Sequence, residues 1–130
     1  MAYWLLKTEP GSYGWVDLVR ERATEWTGVR NHAAAAHLRA MAVGDQVLIY
    51  HSGAQKTAVG VAEVTRAAQP DGPPPWVSVA IAARTPLTTP VTLTAIRAAP
   101  ALQALAMLRQ SRLSVSPVSI AELAAIVAMA

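Results

Sequence analysis

Gln46-Val47-Leu48-Ile49-Tyr50-His51, followed across the polar link Ser52 to Lys56 by Thr57-Ala58-Val59-Gly60-Val61-Ala62-Glu63-Val64-Thr65, is the stretch on which the fold turns. Both apolar runs are rich in β-branched and aromatic side chains, which pack well on a pleated surface. The short link between them fits a hairpin, so the two runs are expected to pair antiparallel. Gly44-Asp45, just ahead, ends a helical segment and turns the chain into the first run.

Working toward the N-terminus, Asn31 to about Met41 reads as a helix, with Ala34, Leu38 and Met41 at helical spacing. Before it, Ser12 is placed to cap a short helix running to about Arg22, with Trp15, Leu18 and Val19 on its core face. Tyr3-Trp4-Leu5-Leu6-Lys7-Thr8, stopped by Pro10-Gly11, reads as a strand in which Lys7 shares a face with Tyr3 and Leu5.

Toward the C-terminus, Pro70-Asp71-Gly72-Pro73-Pro74-Pro75 is a stiff loop, and Trp76 to Ala82 alternates as a half-buried strand. Pro86 and Pro90 are expected to break the chain, Thr92 to Ala98 to form a helical turn or two, and Leu102, Leu105 and Leu108 to mark another short helical piece. Ser111 to Pro117 reads as extended. Ser119-Ile120-Ala121-Glu122 is a capping box opening a last helix that packs through Ile120, Leu123 and Ile126. Strands interleaved with short helices define an α+β fold with a curled, barrel-like sheet, expected to be one domain over residues 1–130.

Composition narrows the function classes. The chain of 130 residues has no Cys, which excludes disulfides and thiolate metal sites and fits a reducing, cytoplasmic setting. Charges interrupt every apolar run short of the roughly 20 residues that a membrane-spanning helix needs, so a soluble protein with no membrane partner is expected. Met1-Ala2-Tyr3-Trp4 lacks the features of a signal peptide and is expected to begin the fold itself. The net charge of +3, with nine of eleven basic side chains Arg, tolerates an anionic partner without requiring one.

Catalytic chemistry finds little support. His51 and Ser52 are adjacent and point to opposite faces of a strand, and His32 and His37 do not share a helix face. No phosphate-binding glycine loop is present, and neither a metal nor a cofactor is expected.

Binding chemistry is concentrated in Trp26-Thr27-Gly28-Val29-Arg30-Asn31-His32. It joins a flat apolar face, a planar donor fork and an amide that both donates and accepts, the means of holding a flat polar ring. Structural readings stand beside this: Asn31 can simply cap the helix it precedes, and Trp26 can be core. Short polar groups also recur at strand ends, in Lys7-Thr8-Glu9, Tyr50-His51-Ser52 and Ser111-Arg112-Leu113-Ser114. Taken singly, these are turn formers and solvated charges; as a group they resemble a binding rim.

The same pieces, in order, resemble the EVE domain: Tyr3-Trp4-Leu5-Leu6-Lys7-Thr8-Glu9-Pro10, Trp26 to Asn31, Gly44-Asp45 leading to Tyr50-His51-Ser52, Gly60 to Val64, and Arg112 to Val118. EVE domains belong to the PUA-like superfamily of curled β-barrels with flanking short helices and are similar to the YTH domains that read methylated adenine in RNA. The resemblance implies a non-catalytic reader that encloses a modified base, a modified cytosine in DNA or RNA. Carried over by motif, its pocket residues are Lys7, Thr8, Trp26, Arg30, Asn31, Tyr50, His51, Ser52, Arg112 and Ser114. Trp26 would be the stacking platform, Asn31 and Ser52 the edge readers, and Lys7, Arg30 and Arg112 the phosphate contacts. The chain departs from the family between Pro70 and Trp76, where the loop is shorter and richer in Pro. A sensor of a small molecule or free nucleotide, and a hydrolase acting on modified nucleosides, are the alternatives.

Overall fold

In the computed structural model, which describes residues 1–130, the two apolar runs around residues 52–56 are antiparallel neighbours near the middle of a six-stranded sheet. In chain order the elements are β1 (Tyr3–Thr8), α1 (Trp15–Glu21), β2 (Ala23–Trp26), α2 (His32–Ala40), β3 (Gln46–His51), β4 (Thr57–Pro70), β5 (Val77–Thr92), α3 (Leu93–Ala98), a 3-10 turn (Pro100–Leu102), α4 (Ala106–Arg109), β6 (Val115–Val118) and α5 (Ile120–Met129). The strand order is β2-β5-β4-β3-β1-β6, antiparallel throughout except for the parallel pair β1–β3. That parallel pair needs a crossover, which α1, β2 and α2 supply.

Alternation along the strands builds a core on each face of the sheet. Trp4, Leu6, Val47, Ile49, Val64 and Ile81 pack with Trp15 and Leu18 of α1 and with Ala34 and Leu38 of α2. On the other face Leu5, Leu48, Tyr50 and Val61 pack with Ile96, Leu102, Leu105, Leu123 and Ile126. β3 is buried on both sides, which is why its sequence is continuously apolar rather than alternating. The helix α2 touches β6 at one edge of the sheet and β5 close to the other, which a flat sheet could not allow. The sheet therefore curls around α2 but does not close, leaving β2 and β6 as its two edges.

Two local devices hold the curl. Gly60 lies under the Trp15 ring so closely that an added Cβ would come within 2.5 Å of it, so only Gly lets α1 sit this low on the sheet. The buried carboxylate of Asp45 accepts from Trp4 Nε1 at 3.0 Å and from the backbone N–H groups of Ala42 at 2.9 Å and Ala2 at 3.0 Å. Burial pushes the Asp45 pKa up, but these three donors, aided by the N-terminal charge, outweigh it and hold the carboxyl below its usual range.

Ser119 caps α5 in the expected box with Glu122, and Asn31 caps α2, its Oδ1 accepting from Ala34 N at 3.0 Å. Other boundaries differ from the sequence reading. α1 is capped at Gly14, with Asp17 accepting from the Gly14 N–H, rather than at Ser12. Val19 and Ile120 are exposed, at 49% and 63%, because α1 and the first turn of α5 bury a narrower face than their apolar content suggests. β4 continues to Pro70, and Ala23–Trp26 is a strand where none was expected.

Pro86 and Pro90 do not break the chain, since both lie within the sixteen residues of β5. β2 covers only Val79 to Ala82 of that strand, so beyond Ala83 β5 has β4 on one side alone. Pro86 there faces Gly60, and Pro90 sits in the irregular stretch between the Gly60–Pro86 and Ala58–Val91 pairs, places where a missing N–H breaks no ladder.

Candidate nucleic-acid interface

The gap left by the unclosed sheet is a cleft of about 520 Å3, within the size range of small-molecule pockets, roughly 300–1,000 Å3. One wall is β2 and the segment running on to Asn31; the other is the end of β1 with Ser114 ahead of β6. Trp26 is half-buried, with its inner side against the first core and the Tyr13 ring meeting it edge-on at 5.8 Å. Tyr13 is held in turn, its hydroxyl donating to Glu21 Oε1 and its carbonyl accepting from Thr8 Oγ1. Burial, and then the Glu21 hydrogen bond, push the Tyr13 pKa up, so the phenol stays protonated and remains a donor.

The segment after Trp26 is fixed by the Pro-rich loop. Gly28, at φ +80°, donates its N–H to Asp71 Oδ2 at 2.9 Å, in a backbone conformation that other residues adopt only with strain. Arg30 donates to the same oxygen at 3.1 Å and to the Asp71 carbonyl at 3.0 Å, while its guanidinium stacks over Trp76 at 5.6 Å. The Gly28 N–H and the Arg30 fork hold the Asp71 carboxyl below its usual range. Trp76 also meets the His32 ring at 4.9 Å, and Arg39 donates to the Pro75 carbonyl at 2.9 Å. The Pro-rich loop thus braces the cleft wall through Asp71 and Trp76.

Six of the ten residues singled out from the sequence line the cleft: Lys7, Thr8, Trp26, Arg30, Asn31 and Ser114. Asn31 serves as the helix cap through Oδ1 and keeps its amide N–H2 for the cleft. Arg30 is there, but its guanidinium is already engaged by Asp71. Thr8 Oγ1 is spent on the Tyr13 carbonyl.

The other four lie elsewhere. His51 is buried: its Nε2 accepts from Trp15 N at 3.0 Å and its Nδ1 contacts Gln55 Oε1 at 2.7 Å, so its ring fastens α1 to the sheet. Tyr50 and Ser52 line a separate hollow on the opposite face of the sheet, and Arg112 sits in an exposed turn. Alternation explains the split, since Tyr50 and His51 cannot both face one side of β3. The sequence reading missed Tyr13 and Thr24, and gave Thr27 no role of its own within the Trp26 stretch. Tyr13 could have been found, being one of three Tyr in a chain that is 5% aromatic; Thr24 carries no comparable mark.

No three His, Asp or Glu side chains converge as a metal site, and no helix is long and apolar enough to cross a membrane. What the cleft offers is an aromatic wall with hydroxyl and amide groups around it, suited to a planar polar ring.

A curled six-stranded sheet, flanked by short helices and open at a polar cleft, defines a PUA-like fold. The sequence model of the EVE domain family matches residues 2–129, and the chain belongs to that family. Solved structures similar to it include a protein of Rhodopseudomonas palustris, 44% identical with a TM-score of 0.94, over 99% of this chain and 92% of that one. A hypothetical protein from Leishmania major is 38% identical with a TM-score of 0.94, over 99% of this chain and 94% of its own. Human THYN1 protein, solved in complex with 5-methylcytosine-containing DNA, is 22% identical with a TM-score of 0.91, over 99% and 97% of the two chains, and shares the fold. Among curated proteins, thymocyte nuclear protein 1 of Gallus gallus is 37% identical over 81 residues, 53% of this chain. The matched region spans 34% of the length of that relative.

Proposed function

We propose that the protein is a binding module that takes a modified base, a modified cytosine in DNA or RNA, into the cleft beside Trp26 and performs no chemistry on it. One observation carries the reading: the Trp26 ring is anchored on one side by the core and Tyr13 while it lines an open cleft whose rim holds the free Asn31 amide. A base must leave its stack to enter, at a cost of a few kcal/mol, and stacking on an aromatic wall with hydrogen bonds to the base edge offsets that cost. Membership of the EVE family and the DNA-bound structure of the human relative support the choice of ligand class.

Equilibrium binding to otherwise identical oligonucleotides, with and without 5-methylcytosine, in DNA and RNA forms, tests the proposal. Tighter binding of the modified strand is expected, and equal affinity across the panel would sink it. A second reading, a sensor of free nucleosides, draws on the state of Arg30: with that cation paired to Asp71, Lys7 is the one unpaired cation lining the cleft. Binding of a modified nucleoside that ignores salt, with no gain from an attached strand, would favour the sensor.

A further inference from the structure

On the sheet face opposite the first core, the ends of β1 and β3 meet α3 and residues 107–111 around a second hollow of about 260 Å3. Lys7, Lys56 and Arg97 stand around it, with Tyr50 and Ser52 between them. Lys7 and Tyr50 are register partners of the parallel β1–β3 pair, so their side chains project together, away from His51.

Three features single out this hollow. Tyr50 is only 4% exposed, its ring packed in the second core, yet its hydroxyl lines the hollow and has no hydrogen-bond partner in the protein. That hydroxyl reaches solvent at the hollow and is free to donate to a ligand there. None of the three cations is ion-paired, because the ion pairs of the protein are Arg20–Asp17, Arg30–Asp71, Arg66–Glu25 and Arg84–Glu63. Of the other carboxylates, Glu21 holds Tyr13, Asp45 is bound within the core and Glu122 caps α5. Glu9 alone stands close by, its carboxylate resting against Gly53 at the edge of the hollow, where the three cations outnumber it. Finally, Lys7 lines both this hollow and the cleft, so the two are separated by little more than one side chain. Its ammonium, half-buried and donating to the Ser111 carbonyl at 2.7 Å, is pushed below its usual pKa by desolvation, a state that a neighbouring anion would relieve.

We propose that this hollow binds a phosphate of the nucleic-acid backbone, the one next to the nucleotide whose base occupies the cleft. The Arg97 fork and the Lys56 ammonium supply charge, the Tyr50 and Ser52 hydroxyls supply neutral donors, and Lys7 stands between phosphate and base. The inference rests on the base-reading function proposed above.

The test uses a single-stranded oligonucleotide carrying 5-methylcytosine in which each phosphate is replaced in turn by a neutral methylphosphonate. For the wild-type protein, one linkage beside the modified base should cost roughly 10-fold in affinity when neutralised, the worth of a charge-assisted contact. In the K56A/R97A variant that linkage should cost nothing further, and the salt dependence should flatten by about two contacts. Tyr50→Phe, which leaves the core ring in place, should lose a smaller part of the affinity. A variant that binds like wild type and still senses the neutral linkage would overturn the phosphate site while leaving the base cleft standing. Loss of preference for the modified base, with the phosphate coupling intact, would do the reverse. If no oligonucleotide binds but cytidine monophosphate shifts the Arg97 Nε–H resonance, the backbone assignment falls and the site belongs to a free nucleotide. Silence to both ligands brings down both proposals.

Discussion

Trp26 and Asn31 each have a structural task and a free face, and single substitutions can separate the two. A fully core Trp cut to Ala costs about 3–5 kcal/mol because of the cavity left behind. Trp26 is only half-buried, so Trp26→Ala should lose clearly less and remain folded in a thermal melt. Its discrimination between modified and unmodified strands should vanish, since a stacking platform is worth roughly 1–3 kcal/mol per base. A variant that unfolds, or that stays folded and still discriminates, would remove Trp26 from the cleft wall. Asn31 offers a sharper separation, because Ser caps a helix about as well as Asn but has no amide to donate. Asn31→Ser should melt within about 0.5 kcal/mol of wild type yet bind the modified strand more weakly. Equal binding by that variant would reduce Asn31 to a cap.

At the scale of elements, the position of α1 depends on a glycine in a strand that does not touch its own helix in sequence. Because a Cβ at residue 60 would stand 2.5 Å from the Trp15 ring, Gly60→Ala must push α1 off the sheet. The expected loss is about 1–3 kcal/mol, the usual range for overpacking, read from chemical denaturation. His51 should report the same shift, since its Nε2 holds the first N–H of α1; an unchanged His51 resonance in a destabilised variant would locate the strain elsewhere. Elements marked by local chemistry were legible in the sequence: the β3–β4 hairpin, the Asn31 and Ser119 caps, and the alternation of β1. Elements decided by partners were not. β2 is a strand because β5 offers it an edge, and β5 runs through two prolines because no strand lies on its other side there. The cleft was half legible for the same reason: motif order brought out the Trp26 segment, but that the end of β3 lies outside the cleft follows from how the sheet curls.

For the whole molecule, the carboxylates set how stability responds to acid. Asp17, Asp45 and Asp71 all have their pKa values lowered, Asp17 by contacts within α1 and its cap, the other two by contacts that tie separate pieces together. Asp45 joins the N-terminus to the turn before β3, and Asp71 joins the Pro-rich loop to the cleft wall. A carboxyl whose folded pKa lies below its unfolded value of about 3.9 contributes stability that is fully present above that value and is lost as pH falls through the folded pKa. Asp17 and Asp71 are exposed enough for solvent to screen them, so the main share belongs to Asp45, which is 4% exposed. The melting temperature should therefore stay level from neutral pH to about 4.5 and fall steeply below about 4, where protonation turns the Asp45 acceptors into a group that must give up a donor. Asp45→Asn keeps one carbonyl acceptor but loses the charge, at a cost of roughly 1.5–3 kcal/mol at neutral pH. Its melting curve should then depend less on pH between about 2 and 5, so that wild type and variant converge in acid. Parallel curves, offset by the same amount at every pH, would mean that the charge on Asp45 contributes nothing to holding the N-terminal strand in the sheet.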